Sequence, residues 1–381
     1  MAKWLNCCGK ADHLLFCKHY AALLTYSNTQ YIILNTQFQH PIIYIQFVVH
    51  LEFCYNFSSV TFIKSIHYVP MNQRFAILDL GTNTFHLLIA DVDSDRSITV
   101  VYKAEEFVQL GEQGVEVIGE QAFKRGLEQI RRYKQVIDTY QPQQIIAFGT
   151  AAIRSASNGS EFVESIQSIC PMEVRKISGD EEAELICLGV RRAVNLTKDP
   201  VLIMDIGGGS TEFIIANDEQ LFWKKSFPAG ASVLKRQFHH DEPISKEEIV
   251  RLKLFLEKFL EPLFNQRQHY TITRLVGASG SFDTFAGMLS AQAAFPVHVE
   301  QQTSFDFSTE QFQLICQQLV SANLQQRLEM KGMKSFRAGM IVVAAILTEV
   351  VLQQFSIQQI TQSAYALKEG VLWKLIQKEN V

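Results

Sequence analysis

Two stretches of this chain are copies of one pattern. In Phe75-Ala-Ile-Leu-Asp79-Leu-Gly81-Thr82-Asn83-Thr84 an apolar run ends in an acid, a glycine-bearing turn follows, and Phe85 to Ala90 is again mostly apolar. Val201-Leu-Ile-Met-Asp205-Ile-Gly207-Gly208-Gly209-Ser210-Thr211-Glu212 repeats it. With Asp79 set on Asp205 the copies align without a gap, Gly81 on Gly207, Thr84 on Ser210 and Ala90 on Ala216. Each copy reads as strand, tight turn, strand, with the acid closing the first strand. Glycine lets backbone N–H groups approach an anion closely, and the hydroxyl residues add donors. One copy alone would be an ordinary hairpin. Two in register indicate a duplicated α/β unit, and if the turns face each other a phosphate chain fits between them.

A chain of 381 residues is long enough for two such units with real cores. Its net charge of −4 provides no global basic field for nucleic acid or an anionic membrane surface, so neither is an expected partner. The seven cysteines include no CxxC pair and are odd in number, which suits reduced thiols in a cytoplasmic protein and argues against a zinc site. The most apolar helical stretch, around 337–352, is too short to span a bilayer and is expected in the core.

Residues 1–70 differ from the rest. They hold two acids and four lysines, yet four of the seven cysteines and five of the ten histidines. They lack a signal-peptide pattern, and the apolar run near 41–49 is too interrupted to cross a membrane. The expectation is that Met71 is the natural start and that 1–70 is a non-native or poorly ordered extension.

Beyond Met71, strands are expected at 98–102, 145–148, 173–177, 273–277 and 360–364. Helices are expected at 120–140, from 178 to about 193, from 245, at 309–324, at 337–352 and at 369–377. Phe123, Leu127, Ile130, Tyr133 and Ile137 give the first helix one apolar stripe, and Ile249, Leu252, Phe255, Phe259 and Leu263 do so for the helix after Ser245. Ser178 with Glu181, and Ser245 with Glu248, have capping-box spacing. Alternating strands and helices in two copies imply two α/β domains, 71–198 and 199–381.

Six motifs occur in order: DLGTNTFHLL at 79–88, GTAAIRSASN at 149–158, SGDEEAEL at 178–185, DIGGGSTEF at 205–213, GASGS at 277–281 and KEGVL at 368–372. Together they resemble the exopolyphosphatase/guanosine-pentaphosphate phosphatase (Ppx/GppA) family of the actin–Hsp70–sugar-kinase superfamily, in its short form. The resemblance implies two ribonuclease-H-like domains around a phosphate cleft and Mg²⁺-dependent release of terminal phosphate from inorganic polyphosphate or guanosine pentaphosphate (pppGpp). It implies Glu182 as the base and Arg154 as the catalytic phosphate-binding arginine. Asp79, Asp205 and Glu212 match the acids around metal and water. Gly81, Thr82, Asn83, Thr84, Gly207, Gly208, Gly209, Ser210 and Thr211 form the phosphate-binding turns, with Gly277 from a third glycine-rich turn. Family habit also points to a homodimer. Two departures bear on substrate preference or domain packing: Arg337-Ala-Gly339 where the family has Arg-x-Asp, and Lys368-Glu369-Gly370 where it has Arg-Glu-Gly. Lysine keeps the charge but loses the bidentate fork.

Phosphoanhydride hydrolysis needs charge neutralisation, an in-line water and a group to take its proton. Glu182 shares a first helical turn with Asp180 and Glu181, where acids also simply suit the helix dipole. His86, alternating with apolar residues, is expected to be packed and not a metal ligand. Four basic pairs, Arg131-Arg132, Arg191-Arg192, Lys224-Lys225 and Lys235-Arg236, are either solvated surface or a path for a polyanion. Two other readings remain open: a sugar-kinase-like phosphotransferase, and a non-catalytic sensor of (p)ppGpp or polyphosphate.

Overall fold

The structure, a computed structural model, describes residues 19–26, 29–37, 44–51, 73–293 and 298–378. Two units are distinguished. In the first, β1 (His19–Tyr26), β2 (Thr29–Gln37) and β3 (Tyr44–Leu51) form an antiparallel sheet in the order β1-β2-β3. The apolar run near 41–49 thus contributes to β3. Met71, the expected start, lies outside the described residues.

The second unit holds both copies of the repeat. β4 (Gln73–Leu80), β5 (Thr84–Val92) and β6 (Ile98–Phe107) are antiparallel neighbours, and β7 (Gln144–Gly149) and β8 (Glu173–Lys176) extend the sheet in parallel beyond β4. The strand order is β6-β5-β4-β7-β8. Three helices, α1 (Glu120–Tyr140), α2 (Ala151–Ser155) and α3 (Gly159–Ile169), belong to this half. In α1 the expected stripe forms: Ile130, Tyr133 and Ile137 are buried, and half-buried Phe123 and Leu127 pack on the same cluster.

After α4 (Gly179–Ala193) the topology repeats. β9 (Val201–Ile206), β10 (Thr211–Ala216) and β11 (Leu221–Phe227) are antiparallel, β12 (Arg274–Ala278) pairs in parallel with β9, and β13 (Ser304–Ser308) lies outside β14 (Gln359–Ser363). The order β11-β10-β9-β12-β14-β13 is that of the first sheet with one added edge strand. Every residue of β9 and β10 is buried, as expected of central strands covered on both faces. Twice-repeated ribonuclease-H-like topology gives the two-lobed, actin-like α/β architecture.

The remaining helices are α5 (Ala231–Phe238), α6 (Lys246–Phe259), α7 (Glu261–Phe264), α8 (Ser279–Gln292), α9 (Thr309–Ser321), α10 (Leu324–Leu328), α11 (Ile341–Phe355) and α12 (Leu367–Lys378). α11 is buried on nearly all sides, a core helix as its composition requires. In α6 the buried line runs through Leu252 and Leu256, with Ile249, Phe255 and Phe259 half-buried beside it. Leu263 falls in α7. Both bonds of the Ser245–Glu248 capping box form. At Ser178 only one does: its hydroxyl accepts from the Glu181 N–H at 3.1 Å, and no return bond closes the box.

α12 packs against α4, and both share one core cluster with Phe75 and Ile77 of β4 and Ile203 of β9. The crossing depends on glycine. A Cβ at Gly370 would land on the Leu185 backbone, and one at Gly189 on the Ala366 carbonyl. This close approach anchors the helix that carries Glu182 between the two sheets.

Candidate active site

Asp79 and Asp205 each end the first strand of their sheet, and each is followed by the same turn. The Gly81 N–H donates to the Thr84 carbonyl at 3.1 Å, and the Gly207 N–H to the Ser210 carbonyl at 3.0 Å. A Cβ would sit 2.7 Å from the Thr84 oxygen at Gly81 and 3.0 Å from the Ser210 oxygen at Gly207. The same close backbone approach thus recurs at the same point of both copies, tighter at Gly81 than at Gly207.

The two turns meet. Cβ atoms added at Gly208 and Gly209 would lie 2.5 Å from Asn83 Nδ2 and 2.8 Å from Thr82 Oγ1. The N-terminus of α5 seats on the second turn, with Ala231 N–H donating to the Gly207 carbonyl (2.9 Å) and Ser232 N–H to that of Gly208 (3.0 Å). Ser232 Oγ then donates to Asn83 Oδ1 at 2.8 Å, tying one lobe's turn to the other's. Between them lies a cleft of about 90 Å³. Asp79, Glu182 and Asp205 supply its carboxylates, and Gly81–Thr84 and Gly207–Ser210 its turns.

Glu182, in the first turn of α4, is buried, and accepts from Arg154 Nη1 at 3.1 Å. The same nitrogen donates to the Ile177 carbonyl at 2.9 Å. Arg154 faces an adjoining groove of about 410 Å³ that shares Ala151, Gly209 and Ser210 with the cleft. Asp205 accepts from Ser279 Oγ at 2.6 Å, and Ser279 holds a left-handed φ of 65° at the start of α8. A non-glycine residue adopts that backbone only under local constraint.

Burial raises all four acids. It carries Asp79 to about 7, with Lys368 opposing and Asp205 adding to the rise. Asp205 reaches about 6, against the Ser279 hydrogen bond. Glu212 reaches about 7 through burial and then Asp205. Glu182 is pushed well above the usual carboxylate range by burial and then by Glu212, with Arg154 opposing. The Lys368 ammonium is buried, yet held charged by Glu369 and Asp79. His86 also lines the cleft, its imidazole kept neutral by burial and by Lys368.

Besides Arg154, which lines the adjoining groove, three expected site residues do not line the cleft. Thr211 is buried, its hydroxyl donating to the Ala229 carbonyl at 2.8 Å. Gly277 sits in β12 opposite Met204, where a Cβ would strike the Phe282 ring, so it serves helix–sheet packing. Glu212 pairs across the strands with Asp205, and its carboxylate accepts at 2.7 Å from Ser226 Oγ, a residue of the adjoining groove. Among the described residues no three His, Cys, Asp or Glu side chains converge on one metal position. The expected set Asp79, Asp205 and Glu212 is accordingly not assembled as three direct ligands. Two cleft carboxylates, Asp79 and Asp205, do fit a hard cation that keeps several of its own waters.

The cleft also takes in Thr150, Ser279, Ser281, Arg337 and Met340, none of them on the expected list. Ser279 and Ser281 lie within GASGS, and Arg337 within the departure at 337–339, so both regions carried a signal. Met340, whose Sδ meets Asn83 Nδ2 at 3.2 Å, carried none.

The sequence profile of the Ppx/GppA phosphatase family matches residues 88–379. A Haemophilus influenzae protein provisionally named an exopolyphosphatase is 27% identical over 306 residues, 80% of this chain and 91% of that one. The crystal structure of an exopolyphosphatase from Cytophaga hutchinsonii is 38% identical, with a TM-score of 0.78 over 80% of this chain and 98% of that one. That of an Aquifex aeolicus Ppx/GppA family member shares the fold at 24% identity, with a TM-score of 0.69 over 82% and 100% of the two chains.

Proposed function

The chain belongs to the Ppx/GppA phosphatase family, and from that premise we propose that it removes the terminal phosphate of inorganic polyphosphate by water attack, with pppGpp as the alternative substrate. The observation that carries the reading is the meeting of two matched acid–glycine turns over one cleft, with the Glu182–Arg154 pair at its edge.

The backbone donors of the two turns hold the bridging and terminal phosphate oxygens. Arg154 is positioned to turn its remaining guanidinium donors to the terminal phosphoryl group, a pairing that suits its planar fork. Glu182 takes the proton as the water oxygen bonds to the terminal phosphorus. The bridging P–O bond breaks, and the chain, one phosphate shorter, leaves as an anion. Burial and the nearby acids keep Glu182 basic enough for this work. Mg²⁺, held by Asp79 and Asp205, would supply charge neutralisation on the phosphate oxygens. The setting we propose is cytoplasmic: Cys170, Cys187 and Cys316 are buried free thiols.

The test is phosphate release by the full chain with Mg²⁺, offering long-chain polyphosphate and pppGpp in parallel, with Glu182→Gln as control. Release from polyphosphate that is lost in the variant supports the reading. Release from pppGpp alone replaces the substrate, and tight binding of either without release replaces the hydrolase with a sensor.

A further inference from the structure

Of the four basic pairs in the sequence, three are engaged away from the cleft. Arg131 and Arg132 pair with Glu128, Lys224 pairs with Glu184 while Lys225 lies over the Phe227 ring, Arg191 donates to the Asn217 carbonyl, and Arg192 stacks on Trp373. The fourth, Lys235-Arg236, lies on α5, the helix seated on the second phosphate turn. Ser232 of that helix touches both Asn83 and Met340 in the cleft wall. Lys235 and Arg236 follow at three and four residues, on the same face one turn further out.

Lys235 reaches toward Gly339, where an added Cβ would stand 3.0 Å from its ammonium nitrogen. Gly339 directly precedes Met340, so this ammonium stands at the rim of the cleft. Among the described residues Lys235 enters no ion pair. Shortly before Gly339 in the chain, Lys334 and Arg337 share a single acid, Glu105, at 3.1 Å and 2.5 Å. Arg236 has only the exposed Glu116, 4.0 Å away on the first lobe's loop. Lys235 thus sets an unpaired ammonium beside Gly339 in a chain whose net charge is −4.

We propose that Lys235, left unpaired because residue 339 has no side chain, is an anion subsite for the inner phosphates of a linear polyphosphate whose terminal group occupies the cleft. This rests on the hydrolase reading above and deepens it: the enzyme selects long chains. A tripolyphosphate is held by the two turns alone, whereas a long chain continues past Met340 to Lys235. Gly339 acts as a specificity determinant because any acid there would pair with Lys235 and cancel the subsite. Its backbone φ lies outside the left-handed region and only the mobile end of Lys235 crowds it, so a side chain is sterically admissible.

The experiment compares Gly339→Asp, Gly339→Asn and Lys235→Gln with the parent chain, and uses Lys198→Gln as a surface control, because Lys198 pairs with Asp218 and Glu219 away from the cleft. KM and kcat are measured for long-chain polyphosphate and for tripolyphosphate at low and high salt. Gly339→Asp and Lys235→Gln are each expected to raise the long-chain KM about tenfold, equivalent to about 1.4 kcal/mol. Its salt dependence should flatten, since one cation–phosphate contact is gone, and kcat should change much less. Gly339→Asn, which adds bulk without charge, is expected to change the long-chain KM less than threefold.

Equal changes for both substrates, or equal effects of Asp and Asn at 339, would overturn the subsite. A second arm measures displacement of fluorescent long-chain polyphosphate from each protein without turnover. If the parent chain binds polyphosphate but releases no phosphate, the hydrolase reading fails. Weaker binding by Lys235→Gln would then still support the subsite, and unchanged binding would remove it.

Discussion

Glu182→Gln separates the chemical role of this side chain from its structural one. Gln has the same shape and keeps a carbonyl oxygen that can accept from Arg154 Nη1, now 3.1 Å from the carboxylate. Only basicity and charge are lost. A positioned general base contributes about 10²–10⁴ in turnover, or about 2.7–5.4 kcal/mol of barrier, and kcat should fall within that range. Stability should move the other way. The folded state raises the Glu182 pKa, chiefly through burial and Glu212. Its contribution to stability is therefore fully present below the ordinary carboxylate pKa and is lost as pH rises through the raised value. Gln mimics the protonated form, so Tm at neutral pH should be unchanged or higher. In the parent chain kcat should fall as pH drops through the raised pKa of Glu182, and the variant should lack that acid limb. The assays are phosphate release against pH and thermal unfolding of both proteins. A folded variant that retains more than a tenth of parental turnover, or one that melts well below the parent, would refute the argument.

Arg154→Lys should lower kcat/KM about tenfold to hundredfold, because one ammonium cannot serve the Ile177 carbonyl, Glu182 and a phosphoryl group from a planar fork; steady-state kinetics decides, and parental efficiency would remove Arg154 from phosphate binding. Chelation with EDTA should abolish phosphate release, and added Mg²⁺ should restore it, if Asp79 and Asp205 hold the ion; undiminished release in EDTA would exclude that role. Gly370→Ala should destabilise the fold by about 1–3 kcal/mol, the usual cost of overpacking, since the new methyl meets the Leu185 backbone. Denaturant unfolding measures it, and an unchanged midpoint would show that the crossing can relax.

The duplicated lobes were legible because the central strands are nearly uniform apolar runs, each ended by Asp79 or Asp205, and because a period-matched repeat survives in the turns. The short, mixed elements were not. β11 carries Lys224 and Lys225 in its middle, and β13 is only five residues long, so neither shows a sustained alternation. α5 spans eight residues, just over two turns, too few for a stripe to stand out, although it joins the two turns through Ser232. The convergence of the two turns on one cleft was legible from local turn chemistry. Two placements had no local trace: Gly277 lies against the Phe282 ring, and the Glu212 carboxylate takes a bond from Ser226 on another strand. Long-range pairings such as Gly339 with Lys235 leave no local trace.

The glycine-dependent crossing of α4 and α12 also bears on the order of events during synthesis. Glu182 lies on a helix whose packing partner, residues 367–378, lies far downstream of it in the chain. The nascent chain can form the first sheet early, since β4 to β8 are close in sequence. Until α12 emerges, however, the part of α4 around Leu185 and Gly189 lacks the helix it crosses. The α4–α12 crossing, and with it the complete packing of the helix that carries Glu182, is therefore finished only once α12 has been made.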